Sequence, residues 1–414
     1  MSADNMTVPR AAGRQRHPGV VLLGVDTPIG LAMARELGRA GIDVYGLGRT
    51  HRALGKHSRY VTTFDIRASA DRLVDQLRNL GTNNNAPFLM TVSEDDILWI
   101  NRNRDALVPI VPLVPAPGQL ERVLDKQAAI RAADAVGIDR PLSIQIETLA
   151  ALEDHLPGLT YPLVLKWADP GSAHAKLKPL GLRVDKAAYI HSETELKRYL
   201  RQFEPAGCFP LIQSYCAGGG LGHMIYMHQG RALIRFQHRR VHEWPPEGGV
   251  SSVCVAERAD MYPDLMAKSE ALLATLGWEG PAMVEYRFDH TTGDAKFMEV
   301  NGRFWGSLPL AVHARAGFVI TTYRAMGLGD VRPPEPYRTG LKARYMIPET
   351  RRLARILFGR QKIKDPYFAV RPTRELARFF LDYLNPHSRY YVWAWDDPLP
   401  MLADLWSAVF NRQG

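Results

Sequence analysis

The residues best suited to chemistry lie in one stretch, residues 283–303, with the sequence MVEYRFDHTTGDAKFMEVNGR. Two runs rich in β-branched and aromatic residues flank the polar cluster HTTGD, and this pattern predicts a β-hairpin. If the turn is centred on Thr292, Glu285 and Glu299 each lie seven residues from it and face each other across the two strands. Like charges placed opposite each other destabilise a sheet, so this pair calls for a cation between or beside the two groups.

The same face of the hairpin is predicted to carry further polar groups. Side chains alternate along a strand, so Asn301 and Arg303 lie on the side of Glu299, and Arg287 lies on the side of Glu285. Carboxylate and amide oxygens suit Mg²⁺ or Mn²⁺. The alternative is a surface hairpin whose acids pair with Arg287 and Arg303. The opposite face is expected to be core, formed by Val284, Tyr286, Phe288, Met298 and Val300.

Composition is typical of a globular enzyme. The 414 residues predict two to three domains, and 46% of them are hydrophobic, which allows an ample core. Residues 1–18 are polar and lack the apolar stretch of a signal peptide, so we expect a disordered tail there. No run approaches the length of a membrane span. The three cysteines show no CxxC spacing, which disfavours structural zinc and favours a reducing cytoplasm.

The positive charge is concentrated near the C-terminus. The formal net charge is +9, and residues 332–391 hold 14 Lys and Arg against 5 Asp and Glu, so this segment accounts for all of it. No RRM, zinc-finger or helix-turn-helix signature accompanies the segment, and we expect no nucleic-acid partner. A solvated face, an acidic partner and contact with an anionic membrane surface all stay open as roles for residues 332–391.

An open parallel α/β unit is predicted for residues 19–117. Residues 20–23 have the pattern of a buried strand, a helix and a second strand follow, and residues 88–92 begin another such repeat. The turn at residues 24–30 lacks the G-x-G-x-x-G pattern, so a dinucleotide site has little support. The proline-rich run at residues 109–117 is expected to be a linker that ends the unit.

Two lysines follow, one on a predicted helix and one at the end of a predicted strand. A helix is predicted from about Gln119 to Val136, with Lys126 in its first half, and the strand PLVLK ends on Lys166. Residues 169–185 are expected to form a polar loop. Either lysine could equally be an ordinary surface residue.

A strand and two loops complete the set of candidate residues. The strand LIQSY contains Gln213 and Tyr215 and continues into the glycine-rich run CAGGGLG. Residues 239–252 are expected to form an irregular loop in which Arg239 and Arg240 could clamp a carboxylate. His238 and His242 could transfer protons, or they could be solvent-facing or packing histidines.

The order of these parts resembles the ATP-grasp superfamily, of the carboxylate-amine ligase type, over about residues 20–330. The resemblance is carried by Lys126 before GIDRP, by PLVLK, by LIQSYCAGGG and above all by MVEYRFD with FMEVNGRFWGS. It implies an α/β fold with a Rossmann-like preATP-grasp domain and a two-lobed ATP-grasp domain with antiparallel sheets. The expected boundaries are 19–117 for the first domain, 118–210 and 211–330 for the two lobes, and 331–414 for a basic helical extension. The DPLP at residues 397–400 resembles the tail of carboxylate-amine-ligase-like members.

The resemblance also implies a mechanism and residue roles. ATP would phosphorylate a substrate carboxylate, and an amine would displace phosphate from the acyl phosphate. The metal ligands for Mg²⁺ or Mn²⁺ would be Glu285, Glu299 and Asn301. The nucleotide would be bound by Lys126, Lys166, Gln213 and Tyr215. The catalytic arginines would be Arg303, at the transferred phosphate, and Arg240, at the substrate acid.

Two departures from the family pattern accompany the resemblance. Many relatives place a glutamate near the ribose end of the Gln213 strand, whereas residues 218–220 are glycines, and the loop at residues 169–185 lacks tandem glycines. The expected activity is ligation of a small-molecule carboxylate to an amine, with an amino acid or small peptide as the default substrate and with the oligomeric state open. The alternatives are a non-catalytic ATP-binding regulatory or scaffold protein and a nicotinamide-dependent oxidoreductase.

Overall fold

A computed structural model describes residues 17–167, 170–185, 187–246, 248–363, 368 and 370–410. The tail expected at residues 1–18 therefore lies, apart from its last two residues, outside the described chain. No described helix is both long enough and apolar enough to cross a membrane.

The chain divides into two compact units. The first comprises Met1–Val114, Val319–Val331 and Trp393–Gly414, and the second comprises Pro115–Phe318 and Arg332–Val392. The first unit therefore combines the N-terminal part of the chain with two later segments.

The first unit contains a parallel sheet with helices between its strands. Its elements are β1 (Val20–Leu23), α1 (Pro28–Arg39), β2 (Val44–Gly48), β3 (Thr63–Ile66), α2 (Leu73–Asn83), β4 (Phe88–Met90), α3 (Glu94–Arg102) and β5 (Val111–Pro112). The strands pair in parallel in the order β3-β2-β1-β4-β5. The strand VVLL of β1 is fully buried, as expected for a central parallel strand. The hydroxyl of Ser93 caps α3 by accepting from the backbone N–H of Asp96.

The second unit begins with two short helices where one was predicted. They are α4 (Gln119–Leu124) and α5 (Lys126–Ala135). Asp125 separates them because its carboxylate accepts from the N–H groups of Gln127 and Ala128 and so starts a new helix. The single helix predicted from Gln119 to Val136 is therefore wrong at this point, and Lys126 is the first residue of α5.

A small antiparallel sheet follows. Its region contains β6 (Ser143–Ile144), β7 (Leu163–Lys166), α6 (Pro170–Leu177), β8 (Ala188–Ile190), α7 (Glu193–Arg201) and β9 (Leu211–Ser214), with the strands in the order β6-β9-β7-β8. One face packs on a core that includes Leu163, Leu165, Ile190 and Ile212. The polar loop predicted at residues 169–185 is wrong over residues 170–177, where α6 forms. Residues 168, 169 and 186 lie outside the described chain.

A seven-stranded sheet forms the rest of the second unit. Its elements are β10 (Gly219–His228), β11 (Arg231–Trp244), β12 (Val250–Glu257), α8 (Pro263–Thr275), β13 (Gly280–Phe288), β14 (Ala295–Asn301), α9 (Leu308–His313), β15 (Lys342–Arg344), α11 (Met346–Phe358), α12 (Pro372–Leu384) and β16 (Ser388–Tyr390). The short helix α10 (Phe318–Thr322), which follows α9, belongs to the first unit apart from Phe318. The strand order is β14-β13-β10-β11-β12-β15-β16, and every pair is antiparallel except β15 with β16.

Two predictions for this region need correction. The irregular loop expected at residues 239–252 is wrong at both ends, because β11 continues to Trp244 and β12 begins at Val250. Residues 331–414 were expected to form a helical extension, but they also contain two strands, β15 and β16, which extend the seven-stranded sheet.

The C-terminal helix α13 (Leu399–Phe410) belongs to the first unit. Just before it, the buried Asp397 accepts from Arg35, Ser58 and the backbone N–H of Arg59, at 2.9, 2.7 and 2.9 Å. The first residue of the DPLP segment therefore attaches the C-terminal segment to the sheet unit, which is a structural role.

Candidate functional site

The hairpin places the two glutamates as the sequence predicts. β13 and β14 pair antiparallel, and Glu285 lies directly opposite Glu299. The pairing then shifts by one residue, so Tyr286 pairs with Phe297 and Met298 is the additional residue of a bulge. The expectation that Met298 faces the core is therefore wrong, and Phe297 is buried there.

Glu299, Asn301 and Arg303 form a hydrogen-bonded line along one side of the hairpin. The amide of Asn301 donates to Glu299 at 3.1 Å, and the guanidinium of Arg303 donates to the amide oxygen of Asn301 at 3.0 Å. Arg303 also donates to the backbone oxygen of Phe304 at 3.1 Å. Asn301 is only 8% exposed, so these contacts hold its amide in a defined orientation.

Arg240 lies on β11, a strand that does not pair with either strand of the hairpin. Its guanidinium donates to Glu285 at 2.5 Å, although β10 lies between β11 and β13. The same group also lies 3.5 Å from Glu243. Both ends of the Arg240–Glu285 pair are largely buried, with 13% and 16% of the side chains exposed. A charge-assisted bond in such surroundings fixes the Glu285 carboxylate.

Glycines in β10 make this contact sterically feasible. A Cβ on Gly220 would lie 2.5 Å from the Cδ of Arg240, and a Cβ on Gly222 would lie 2.7 Å from the Nε2 of His238. Gly222 is paired with Glu285 on one side and His238 on the other. The glycine run therefore leaves room for the side chain of Arg240 to cross the strand.

Lys166 connects the small sheet with the charges of the hairpin. Its pKa is lowered, first by burial and then by the positive charge of Arg287, whereas Cys216, Glu285 and Glu299 act in the opposite direction. The pKa of Glu285 is raised, first by burial and also by the charge of Glu299, with Arg240 opposing that shift. The site thus combines cations and carboxylates in a partly dehydrated setting, where charges interact more strongly than in water.

Gln213 lies on the face of the small sheet that turns away from its core. It pairs with Val164 and Ser143, whereas the alternate residue Ile212 belongs to the core. Its amide donates to the hydroxyl of Ser143 at 3.0 Å. Lys166 lies two residues beyond Val164 on β7 and therefore shares this face.

Tyr215 follows directly after β9. Its backbone N–H donates to the oxygen of Pro162 at 3.2 Å, and its ring lies 6.2 Å from that of Tyr189. Tyr189 pairs with Val164, so it belongs to the same sheet face as Gln213. Lys126 occupies the exposed start of α5, a helix that packs against α8 and β14. The nucleotide-binding roles of Lys126, Gln213 and Tyr215 stay predictions.

Neither histidine of β11 is placed as an accessible proton carrier. His238 is 1% exposed, hydrogen-bonds with the hydroxyl of Ser307 at 2.8 Å, and has its pKa lowered well below the usual value, first by burial. His242 hydrogen-bonds with the buried Glu349 at 2.7 Å. Both therefore act within the packed interior.

Sequence reasoning missed one charged residue of the site. Glu243 contacts Arg240 at 3.5 Å and Arg287 at 3.8 Å, and its side chain is 12% exposed. It falls within the irregular loop predicted at residues 239–252, whereas in the structure it lies near the end of β11. The run of alternating residues in RFQHRRVHEW was the available signal for a longer strand.

The donor set on the hairpin fits a hard divalent cation. Two carboxylates lie opposite each other beside the amide of Asn301, whose nitrogen donates to Glu299 and whose oxygen accepts from Arg303. Carboxylate and amide oxygens are ligands that suit Mg²⁺. Within the described residues, no cluster of three or more His, Cys, Asp and Glu side chains is arranged to hold a metal ion, so the third protein ligand would have to be the amide of Asn301.

Comparison with known proteins shows what this architecture is. No protein-family model matches the sequence, and no curated protein does. Three solved structures illustrate the likeness. N5-carboxyaminoimidazole synthetase from Staphylococcus aureus is 12% identical over 78% of this chain and 80% of its own, with a TM-score of 0.57. The biotin carboxylase–βγ-ATP complex from Campylobacter jejuni is 12% identical over 78% of this chain and 74% of its own, with a TM-score of 0.59. L-amino acid ligase from Bacillus licheniformis is 17% identical over 77% of this chain and 78% of its own, with a TM-score of 0.50.

The chain has the ATP-grasp fold. The predicted fold class, with a parallel α/β unit followed by antiparallel sheets, is confirmed. At identities of 12–17% the likeness concerns the fold. Within that ATP-grasp fold, hydrogen bonds and strand pairing join five of the nine candidate residues, namely Arg240, Glu285, Glu299, Asn301 and Arg303. The charge of Lys166 is influenced by Glu285 and Glu299.

Proposed function

We propose that the protein is an ATP- and Mg²⁺-dependent ligase that activates a carboxylate as an acyl phosphate and joins it to an amine. The observation that carries the proposal is the opposed pair Glu285 and Glu299, continued by Asn301 and Arg303, within an ATP-grasp fold. An electrostatic arrangement of this kind suits phosphoryl transfer, which needs positioning and charge neutralisation more than covalent help.

Glu285, Glu299 and Asn301 would hold the metal. When bound, Mg²⁺ would neutralise part of the negative charge on the phosphates. Arg240 holds the Glu285 carboxylate, and Arg303 holds the oxygen of Asn301. Both arginines therefore orient the ligand set, in the way that outer-shell hydrogen bonds orient metal ligands.

The reaction itself has two steps that balance without a further reactant. A carboxylate oxygen of the substrate attacks the γ-phosphorus of ATP, and ADP leaves. The amine then attacks the acyl carbon, phosphate leaves with the bonding electron pair, and the amine loses a proton to solvent or a nearby base. Arg303 and Lys166 would stabilise the negative charge on the transferred group, because Arg303 follows the hairpin strand and the charge of Lys166 is coupled to Glu285 and Glu299.

The remaining candidates would bind the nucleotide and the acid. Gln213 and Tyr215 lie on the side of the small sheet that turns away from its core and would contact the adenine, with Lys126 at the phosphates. Arg240 was predicted to clamp the substrate carboxylate. Because Glu285 and Glu243 already engage its guanidinium, we propose instead that Arg240 positions Glu285.

Two measurements test the proposal. Thermal unfolding should shift upward with Mg²⁺ and ATP and should not respond to NADH, since ligands that bind the folded state stabilise it. ADP release should then require both an acid and an amine from a panel of amino acids and peptides. ATP stabilisation without ADP release on any pair would support the non-catalytic alternative, and stabilisation by NADH alone would overturn the ATP site.

A further inference from the structure

The helix α12 is inverted with respect to the usual amphipathic pattern. Its two acidic side chains face the protein: Glu375 accepts from Arg352 at 2.7 Å, and Asp382 accepts from Lys342 at 2.7 Å. Glu375 is only 6% exposed. Helices of soluble domains normally turn their apolar stripe inward, so the partner of the apolar side of α12 has to lie elsewhere.

The apolar side of α12 faces outward. Leu376, Phe380 and Leu384 recur every fourth residue and are 39%, 60% and 80% exposed, and Leu381 beside them is 61% exposed. This spacing puts them on one stripe. Scattered exposed apolar residues are ordinary, whereas a contiguous stripe indicates an interaction site.

The charge around this stripe is of one sign. Arg371, Arg374 and Arg378 lie at the start and along the exposed part of α12. The acidic residues of α11 and α12 are Glu349, Glu375 and Asp382, and none of them is exposed. Arg378 lies 4.0 Å from the buried carboxylate of Glu375, and its own side chain is 53% exposed. The outer surface of α12 therefore offers arginines and apolar side chains, whereas its carboxylates are turned inward.

We propose that the α12 surface, defined as Arg371, Arg374, Leu376, Arg378, Phe380, Leu381 and Leu384, docks on an anionic lipid bilayer. The helix lies in the plane of the membrane, the leucines and Phe380 enter the boundary between headgroups and acyl chains, and the arginines bind lipid phosphates. This inference goes beyond the ligase activity and does not depend on it.

A lipid surface fits this helix better than a second copy of the chain. A symmetric dimer through α12 would bring the arginines of both copies to one interface, where like charges repel. An anionic leaflet attracts the same arginines and accepts a convex apolar stripe without a preformed groove. Charge complementarity therefore favours an anionic bilayer over a second copy of the chain as the partner of α12.

The test is co-sedimentation of the full chain with vesicles. Binding is expected to phosphatidylcholine vesicles that contain phosphatidylserine, and not to phosphatidylcholine alone, and it should weaken as salt rises. Replacing Arg371 and Arg374 with Ala should weaken binding more than about tenfold. The double variant Phe380→Ser, Leu384→Ser should do the same. Matched controls are Arg231→Ala and Leu180→Ser, which change an exposed arginine and an exposed leucine outside α12.

The outcomes separate the possible occupants. All the replaced residues are exposed, so their thermal unfolding curves should coincide with that of the parent protein. Equal binding to both vesicle types, or no binding to either, would overturn the proposal. So would a dimer, detected by light scattering, that dissociates in the Phe380→Ser, Leu384→Ser variant. ADP formation is measured in a separate assay, so an absence of vesicle binding would not contradict the proposed ligase activity.

Discussion

Arg240 crosses strand β10 and donates a 2.5 Å hydrogen bond to Glu285, one of two glutamates that face each other in the hairpin. The arginine partly offsets the cost of opposing two carboxylates and also fixes the direction of one of them. The crossing depends on Gly220, where a side chain would occupy the path of the guanidinium. The geometry of the proposed metal ligands therefore depends on a glycine of β10, a strand outside the hairpin itself.

Replacing Gly220 with Ala should therefore reduce ADP formation by about ten- to a hundredfold, because a small displacement of a positioned group is costly in catalysis. The new Cβ would lie 2.5 Å from the Cδ of Arg240, so Arg240 would have to leave Glu285. Gly219→Ala is the matched control, since its Cβ would meet only the backbone oxygen of Arg240 at 3.7 Å. If the steady-state rate of ADP formation falls equally in both variants, the passage of the Arg240 side chain across β10 does not control that rate.

Replacing Glu299 with Gln should lower ADP formation by at least about a hundredfold while the fold survives. The amide keeps the size of the side chain but removes the negative charge that would hold Mg²⁺. Asp294→Asn, in the exposed turn of the same hairpin, is the control and should retain the parent rate. Circular dichroism checks that the fold is kept. An unchanged rate of ADP formation in Glu299→Gln would contradict the proposed metal site.

Replacing Arg303 with Lys should reduce the rate of ADP formation by about tenfold or more despite the conserved charge. The guanidinium donates at once to Asn301 and to the backbone oxygen of Phe304, and one ammonium group cannot reproduce this planar geometry. The dependence of the rate on Mg²⁺ concentration should also weaken, because Asn301 loses its orientation. A variant that keeps the parent rate and Mg²⁺ dependence would make Arg303 a structural residue.

Local patterns predict part of this site, and distant pairing decides the rest. The opposition of Glu285 and Glu299 follows from a turn position and the alternation of strands, both of which are local. The contact of Arg240 with Glu285 joins residues 45 apart in the chain. It requires the strand order and the extension of β11 to Trp244, which a proline-glycine-rich sequence concealed. The role of Asp397 likewise depends on a partner 362 residues away.

Replacing Asp397 with Ala should lower the free energy of unfolding of the first unit by about 3 kcal/mol, because Arg35 would be left buried without its charged partner. The two side chains are 2% and 4% exposed. The neighbouring Asp396→Ala is a matched control: it removes an ion pair with Arg39 in which both side chains are 37–44% exposed, and it should cost about 1 kcal/mol or less. Urea unfolding measures both, and equal losses would contradict the structural role of Asp397.

Glu36 should make the stability of the first unit depend on pH. Burial raises its pKa from 4.5 to about 7; one carboxyl oxygen accepts from the backbone of Ile320 at 3.1 Å, and the other has no hydrogen-bond partner. Because the folded pKa lies above the unfolded one, the folded state holds the proton more tightly. Its contribution is complete below about pH 4.5 and is lost as pH rises through about 7.

The variant Glu36→Gln keeps an uncharged group at every pH and should remove this dependence. Its stability relative to the parent protein should therefore rise between about pH 4.5 and 7, by about 3 kcal/mol at most, since the charged form no longer has to be buried. Thermal and urea unfolding at several pH values measure the difference, with Glu147→Gln at an exposed position as the control. If the stability curves of Glu36→Gln and the parent run parallel across this range, Glu36 is already charged in the folded protein and its burial is balanced by a cation.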